Sequence, residues 1–266
     1  VKTQHLDVAE HNRQVFATVT RQYLAKDLEP AEHWLLRRLK DRWSQIDMLD
    51  LGVGAGRTSF TFAAICRDYV GLDPLDEMLE LCRSRVGETE CVRFVRGDAR
   101  DLSPFAATGF DLILFSGNGI DALNHDERRI VLRQVAAVLR PGGLLFFSVH
   151  NLRCYPLVPP PIPFDVHDPL RSLYHMVQRS RFVRRLKRVA GAVDLSTARA
   201  RGWDSLRDGA HDFRILNFYI DPELQARELQ EEGFVIEATL DNSGALVDVG
   251  AIRSSPNVWF CCRAGA

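Results

Sequence analysis

The eleven residues Met48-Leu49-Asp50-Leu51-Gly52-Val53-Gly54-Ala55-Gly56-Arg57-Thr58 constrain the fold more than any other stretch of the chain. An apolar run carrying one acid breaks into alternating glycines, then opens a helix-like segment over residues 58–66. A strand that feeds a glycine turn and a helix is the ligand-binding corner of a doubly wound α/β sheet. Glycine permits the sharp turn and lets a ligand lie against bare backbone. The helix start beyond it would offer free N–H groups to a carboxylate or phosphate.

Spacing narrows the choice of ligand. Nicotinamide, flavin and methyl-donor enzymes all use a glycine corner, but dinucleotide binders favour Gly-x-Gly-x-x-Gly. Here the order is Gly52-x-Gly54-x-Gly56, with Asp50 on the preceding strand. This acid-x-Gly-x-Gly-x-Gly pattern resembles the first motif of the class I S-adenosylmethionine-dependent methyltransferases. Later stretches add to the resemblance. Asp73 ends a short apolar strand about twenty residues on, where a carboxylate reaches a ribose diol, and Pro74 follows it. Arg96-Gly97-Asp98-Ala99 ends a third strand with an acid and a small residue, as in the family's adenine site. Phe110-Asp111-Leu112-Ile113 and Leu139-Arg140-Pro141-Gly142-Gly143, each tied to an apolar strand, also match the family in order and spacing.

The resemblance covers roughly residues 46–150. It implies a Rossmann-like doubly wound sheet of seven strands, the seventh antiparallel between the fifth and sixth. S-adenosylmethionine is the implied methyl donor. Asp50, Gly52, Gly54, Gly56 and Arg57 would lie at its methionine part. Asp73 and Pro74 would hold the ribose, and Asp98 with Ala99 the adenine. Ser116 and Asn118, on the loop after strand four, would face the donor or the acceptor.

Around this core the chain divides into four parts. Residues 1–45 read as a cap of amphipathic helices, with Pro30 in a first turn. The resemblance implies that such a segment folds over the cofactor, with Tyr23 either on that cover or packed over the core. Residues 46–150 are the donor-binding core. Residues 151–217 break the pattern with a proline-rich crossing and a basic stretch, and read as a lid over the acceptor. Residues 218–266 restore it, with strands expected at 234–240 and 258–262. Asn124, three residues before Glu127, reads as the capping box of a helix running to residue 139.

Methyl transfer from an activated sulfonium needs mainly an in-line nucleophile and a dry pocket. His150 and Asn151 end strand five beside that pocket and are the candidate catalytic pair. Tyr155, His175 and Tyr219, with Tyr23, are candidate acceptor contacts. Arg171, Arg179 and Arg181 would suit an anionic acceptor.

Composition supplies bounds. The chain has 266 residues, 46% hydrophobic and 26% charged, enough for one sizeable core. A net charge of −1 gives no global reason to expect nucleic acid or a membrane. No apolar run has membrane-spanning length, and the start of the chain lacks a signal-peptide pattern. Six cysteines without a C-x-x-C pair fit a reduced, cytoplasmic compartment and no metal site. The expected function is O- or N-methylation of a small metabolite. Methylation of RNA or protein through the basic insert, and donor binding without catalysis, remain as alternatives. The oligomeric state is open, a homodimer included.

Overall fold

Runs such as Phe110-Asp111-Leu112-Ile113-Leu114-Phe115 are apolar at both odd and even positions, which suits a strand buried on both faces. In the computed structural model, which describes residues 7–18, 27–156, 158, 165–209 and 213–265, they form the centre of a mixed sheet. Alternation along the strands splits the core in two. Leu49, Ile113, Phe115 and Phe147 pack on one face, and Met48, Leu112, Leu114 and Phe146 on the other.

The strands are β1 (Asp47–Leu51), β2 (Asp68–Asp73), β3 (Val92–Arg96), β4 (Phe110–Phe115) and β5 (Leu139–Asn151). They run parallel in the order β3-β2-β1-β4-β5. Further along come β6 (Trp203–Arg207), β7 (Leu216–Ile220), β8 (Phe234–Leu240) and β9 (Asn257–Ala264). β9 pairs antiparallel with β5 over Leu144–His150, and β8 pairs antiparallel with β9. This is the expected seven-stranded order, with the last strand inserted antiparallel between its neighbours.

Among the described residues the sheet carries two strands beyond those seven. At its carboxyl end β5 passes beyond β4, whose pairing ends at Phe147, and pairs with β7, His150 opposite Tyr219 and Asn151 opposite Ile220. β7 carries β6 as its antiparallel partner. The segment read as an insert therefore extends the sheet where β5 leaves it, and the expected boundary at residue 217 falls inside β7.

The helices are α1 (Val8–Ala17), α2 (Pro30–Arg38), α3 (Ser59–Phe62), α4 (Asp76–Val86), α5 (His125–Val138), α6 (Pro169–Gly191), α7 (Leu195–Arg201) and α8 (Pro222–Glu231). α5 carries the expected capping box, Asn124 and Glu127 each accepting the other's backbone N–H. α3 is a correction. The segment after the glycines makes only one helical turn, so its dipole is weak. Residues 19–26, and with them Tyr23, lie outside the described residues.

Candidate functional site

The carboxyl ends of β1, β2, β4 and β5 open onto a cavity of about 530 Å³. α1 covers it through Glu10, Arg13 and Phe16, and β7 closes it with Ile215 and Asn217 nearby. Open α/β sheets bind ligands at this edge because strand-end loops diverge there.

At one end lies the glycine corner. Gly52, Gly54 and Gly56 have φ of +62°, +55° and +80°, conformations that side chains disfavour. A Cβ on Gly52 would meet Phe115 at 3.0 Å, whereas a Cβ on Gly54 would meet only backbone, at 3.9 Å. Bare backbone at Gly54 is thus a ligand-sized approach. Its N–H donates to Asp73 Oδ2 at 2.9 Å, and the N–H of Leu75 donates to Asp73 Oδ1 at 2.9 Å. Each carboxylate oxygen keeps a lone pair for a ligand hydroxyl. Burial pushes the Asp73 carboxyl up to about 6, against the pull of those two N–H bonds.

Asp50, expected at the methionine part of the donor, lines the cavity. It is buried, and accepts from Thr58 Oγ1 at 2.5 Å and Tyr69 Oη at 2.6 Å. Burial pushes it, too, up to about 6, with the two hydroxyls pulling the other way. Through those two hydroxyls it also braces the turn. Arg57 is likewise committed: its guanidinium forks onto Glu32 of α2 at 2.6 and 2.7 Å and donates to Ser116 Oγ at 2.7 Å. Glu32 is fully buried, so α2 is pinned to the corner through this pair.

Asp98 and Ala99 line the same cavity, as does Pro74. Burial alone would raise the Asp98 carboxyl. Hydrogen bonds from the Arg100 side chain and backbone outweigh it and hold Asp98 below the usual range. Arg100 forks onto Asp98 at 2.6 and 3.0 Å, and also pairs with Glu127.

The other end is built around His150. Its backbone N–H donates to Asp121 Oδ2 at 2.6 Å, and ring Nδ1 lies 2.8 Å from the same oxygen. Nδ1–H donation to that carboxylate leaves Nε2 as the acceptor, 3.2 Å from Asn118 Nδ2. Asn118 sits at φ +56°, a left-handed conformation Asn tolerates, and its side chain also donates to Asn257 at 3.0 Å. Asp121 is fully buried and its second oxygen pairs with the buried Arg128. Arg128 reaches on to Gln225 of α8 at 2.5 Å and lies 4.5 Å above the Phe218 ring.

Several candidates fall outside the cavity. Successive side chains on a strand face opposite ways, so His150 facing the cavity turns Asn151 away. Asn151 is buried, donates to the Ser255 carbonyl at 2.9 Å and accepts from Arg153 N–H at 2.9 Å. Tyr155 and Tyr219 are buried, their hydroxyls donating to the Arg207 carbonyl and Asp208 at 2.9 and 2.8 Å. Tyr219 backs the site instead, its ring 4.9 Å from that of His150. His175, Arg171, Arg179 and Arg181 lie on α6, no residue of which lines the cavity. Asp121 and Arg128 carried no sequence signal that would have joined them to His150.

Comparison with known proteins agrees with this geometry. Residues 48–143 match the family model described as a methyltransferase domain. An uncharacterized methyltransferase of Bacillus subtilis, YcgJ, is 34% identical over 105 residues, 39% of this chain and 40% of that protein. Demethylmenaquinone methyltransferase of Clavibacter sepedonicus is 35% identical over 111 residues, 42% of this chain and 44% of its own length. The chain thus spans under half the length of these two curated relatives. The crystal structure of the 1,6-didemethyltoxoflavin N1-methyltransferase of Burkholderia thailandensis superposes with a TM-score of 0.61 at 17% identity. That match covers 97% of this chain and 89% of the other, and shows the shared fold.

Proposed function

We propose that this chain, whose residues 48–143 match a methyltransferase-domain family model, is a class I S-adenosylmethionine-dependent methyltransferase that moves a methyl group to an oxygen or nitrogen of a small molecule bound beside His150. The donor fits the residues present. Gly54 leaves bare backbone, Asp73 keeps a lone pair on each oxygen for the ribose hydroxyls, and Asp98 and Ala99 line the wall beyond. When bound, the donor supplies an activated methyl sulfonium, so no further activation of the methyl group is required.

What remains is to position the acceptor and take its proton. The single observation that carries the proposal is the His150–Asp121 pair on the wall of the same cavity as Asp73 and the glycines. Asp121 fixes the ring tautomer, so Nε2 presents its lone pair, and the carboxylate stabilises the imidazolium formed when an acceptor hydroxyl gives up its proton. Asn118 holds Nε2 until the acceptor displaces it. Arg128 supplies the opposite charge that the buried Asp121 carboxylate pairs with. Phe16, Phe115 and Ile215 exclude water around the acceptor. The anionic acceptor loses its support, because the α6 arginines lie elsewhere and Arg13, Arg57 and Arg100 already hold carboxylates.

The test is transfer of labelled methyl from S-adenosylmethionine to a panel of small phenols, hydroxy acids and amines, alongside calorimetry with S-adenosylhomocysteine. Turnover on a hydroxyl acceptor that collapses in His150→Ala supports the proposal. Tight donor binding with no turnover across the panel would instead make the chain a donor-binding regulator.

A further inference from the structure

Exposed apolar surface is concentrated in one place. Seven of the ten large hydrophobic side chains exposed among the described residues lie between residues 158 and 177. Leu170, Leu173, Tyr174 and Val177, at 81%, 56%, 60% and 40% exposure, stand on α6 at helical spacing and form one outward stripe. At 100° per residue the same line continues through Arg181, Arg184 and Arg188, all exposed. The opposite side anchors the helix. Leu186 and Ala190 are buried, Ala190 in a cluster with Leu152, Tyr155, Leu206 and Tyr219, and the Phe182 and Phe213 rings lie 5.3 Å apart. α6 carries six arginines, one lysine and no acidic residue, in a chain whose net charge is −1.

We propose that the outward face of α6 docks the protein onto an anionic lipid bilayer. An apolar stripe followed by arginines matches the two layers such a surface presents, an acyl boundary and a phosphate plane. A second copy meeting this face would bring two strongly basic helices together and repel. A nucleic acid would satisfy the arginines but give Leu170, Leu173 and Val177 nothing in return. No described helix is long and apolar enough to cross a membrane, so the contact is interfacial. The net charge concealed this face, because acids elsewhere offset the seven cations of one helix. The proposal stands apart from the reaction, since α6 does not line the cavity.

Flotation of the whole chain with vesicles tests it, using phosphatidylcholine alone and phosphatidylcholine mixed with phosphatidylglycerol. Binding is expected only to the mixed vesicles, and weakens as salt is raised. Leu173→Asp with Val177→Asp, and separately Arg181→Glu with Arg184→Glu, should each lower partitioning at least about tenfold. These positions are exposed, so melting temperature and S-adenosylhomocysteine affinity should stay at the wild-type values. Failure to float with the mixed vesicles overturns the proposal, as does equal binding to both kinds. A dimer dissociated by the Leu173→Asp change would assign the stripe to a second copy. Salt-sensitive RNA binding without vesicle binding would assign the arginines to nucleic acid.

Discussion

The two ends of the cavity are held in place by different means. At the donor end, Asp73 is fixed by the backbone of Gly54 and Leu75, and Asp98 by Arg100 two residues away. At the acceptor end, His150 is fixed by Asp121 29 residues earlier, and Asp121 by Arg128, which in turn reaches Gln225 97 residues later. The donor corner is thus nearly self-contained, while the acceptor end exists only once β5, α5, α8 and the loop after β4 have packed. A donor shared by many enzymes suits a portable corner. An acceptor pocket assembled from distant parts can vary without disturbing it.

If that contrast holds, the largest effect should come from cutting the acceptor-end brace. Arg128→Met leaves the Asp121 carboxylate buried without its cation, and should cost about 3–5 kcal/mol of stability by urea denaturation. A loss below 1 kcal/mol would mean the brace is dispensable. Next, His150→Ala should lower turnover by about a hundredfold, with S-adenosylhomocysteine affinity kept within about twofold. Equal losses in both would join the two ends that the structure keeps apart.

Asp73→Ala should weaken S-adenosylhomocysteine by about thirtyfold, about 2 kcal/mol, while turnover at saturating donor stays close to wild type. Calorimetry showing unchanged affinity would remove the ribose assignment. The smallest effects are on pH. With Asp73 pushed up to about 6, donor affinity should fall by up to about tenfold between pH 7 and 5 as the carboxylate gains a proton, and Asp73→Asn should flatten that slope. Asp50, also pushed up to about 6 from 3.8, acts on stability with a definite sign. Its neutral form is favoured by folding, so its contribution is fully present below about pH 4 and is lost as pH rises through 6. The melting temperature of Asp50→Asn should therefore gain on wild type between pH 4 and 7, and a constant difference would place the Asp50 pKa elsewhere.

The strand order and the antiparallel last strand came with the family resemblance; residue order alone determined the rest of the donor half, the glycine corner, the buried strands and the acid at the end of β2. Those features are local, since a positive φ needs glycine, a buried parallel strand needs a continuous apolar run, and a ribose acid must sit at a strand end near the turn. Tertiary structure alone decided the rest. It took Asn151, Tyr155 and Tyr219 out of the cavity, turned Asp50 into a brace for Thr58 and Tyr69, tied Arg57 to Glu32, added β6 and β7 to the sheet, and joined Asp121 to His150. Each of those outcomes depends on which way a side chain points and which distant charge it meets. Strand register and helix packing set both, and no spacing along the chain encodes either.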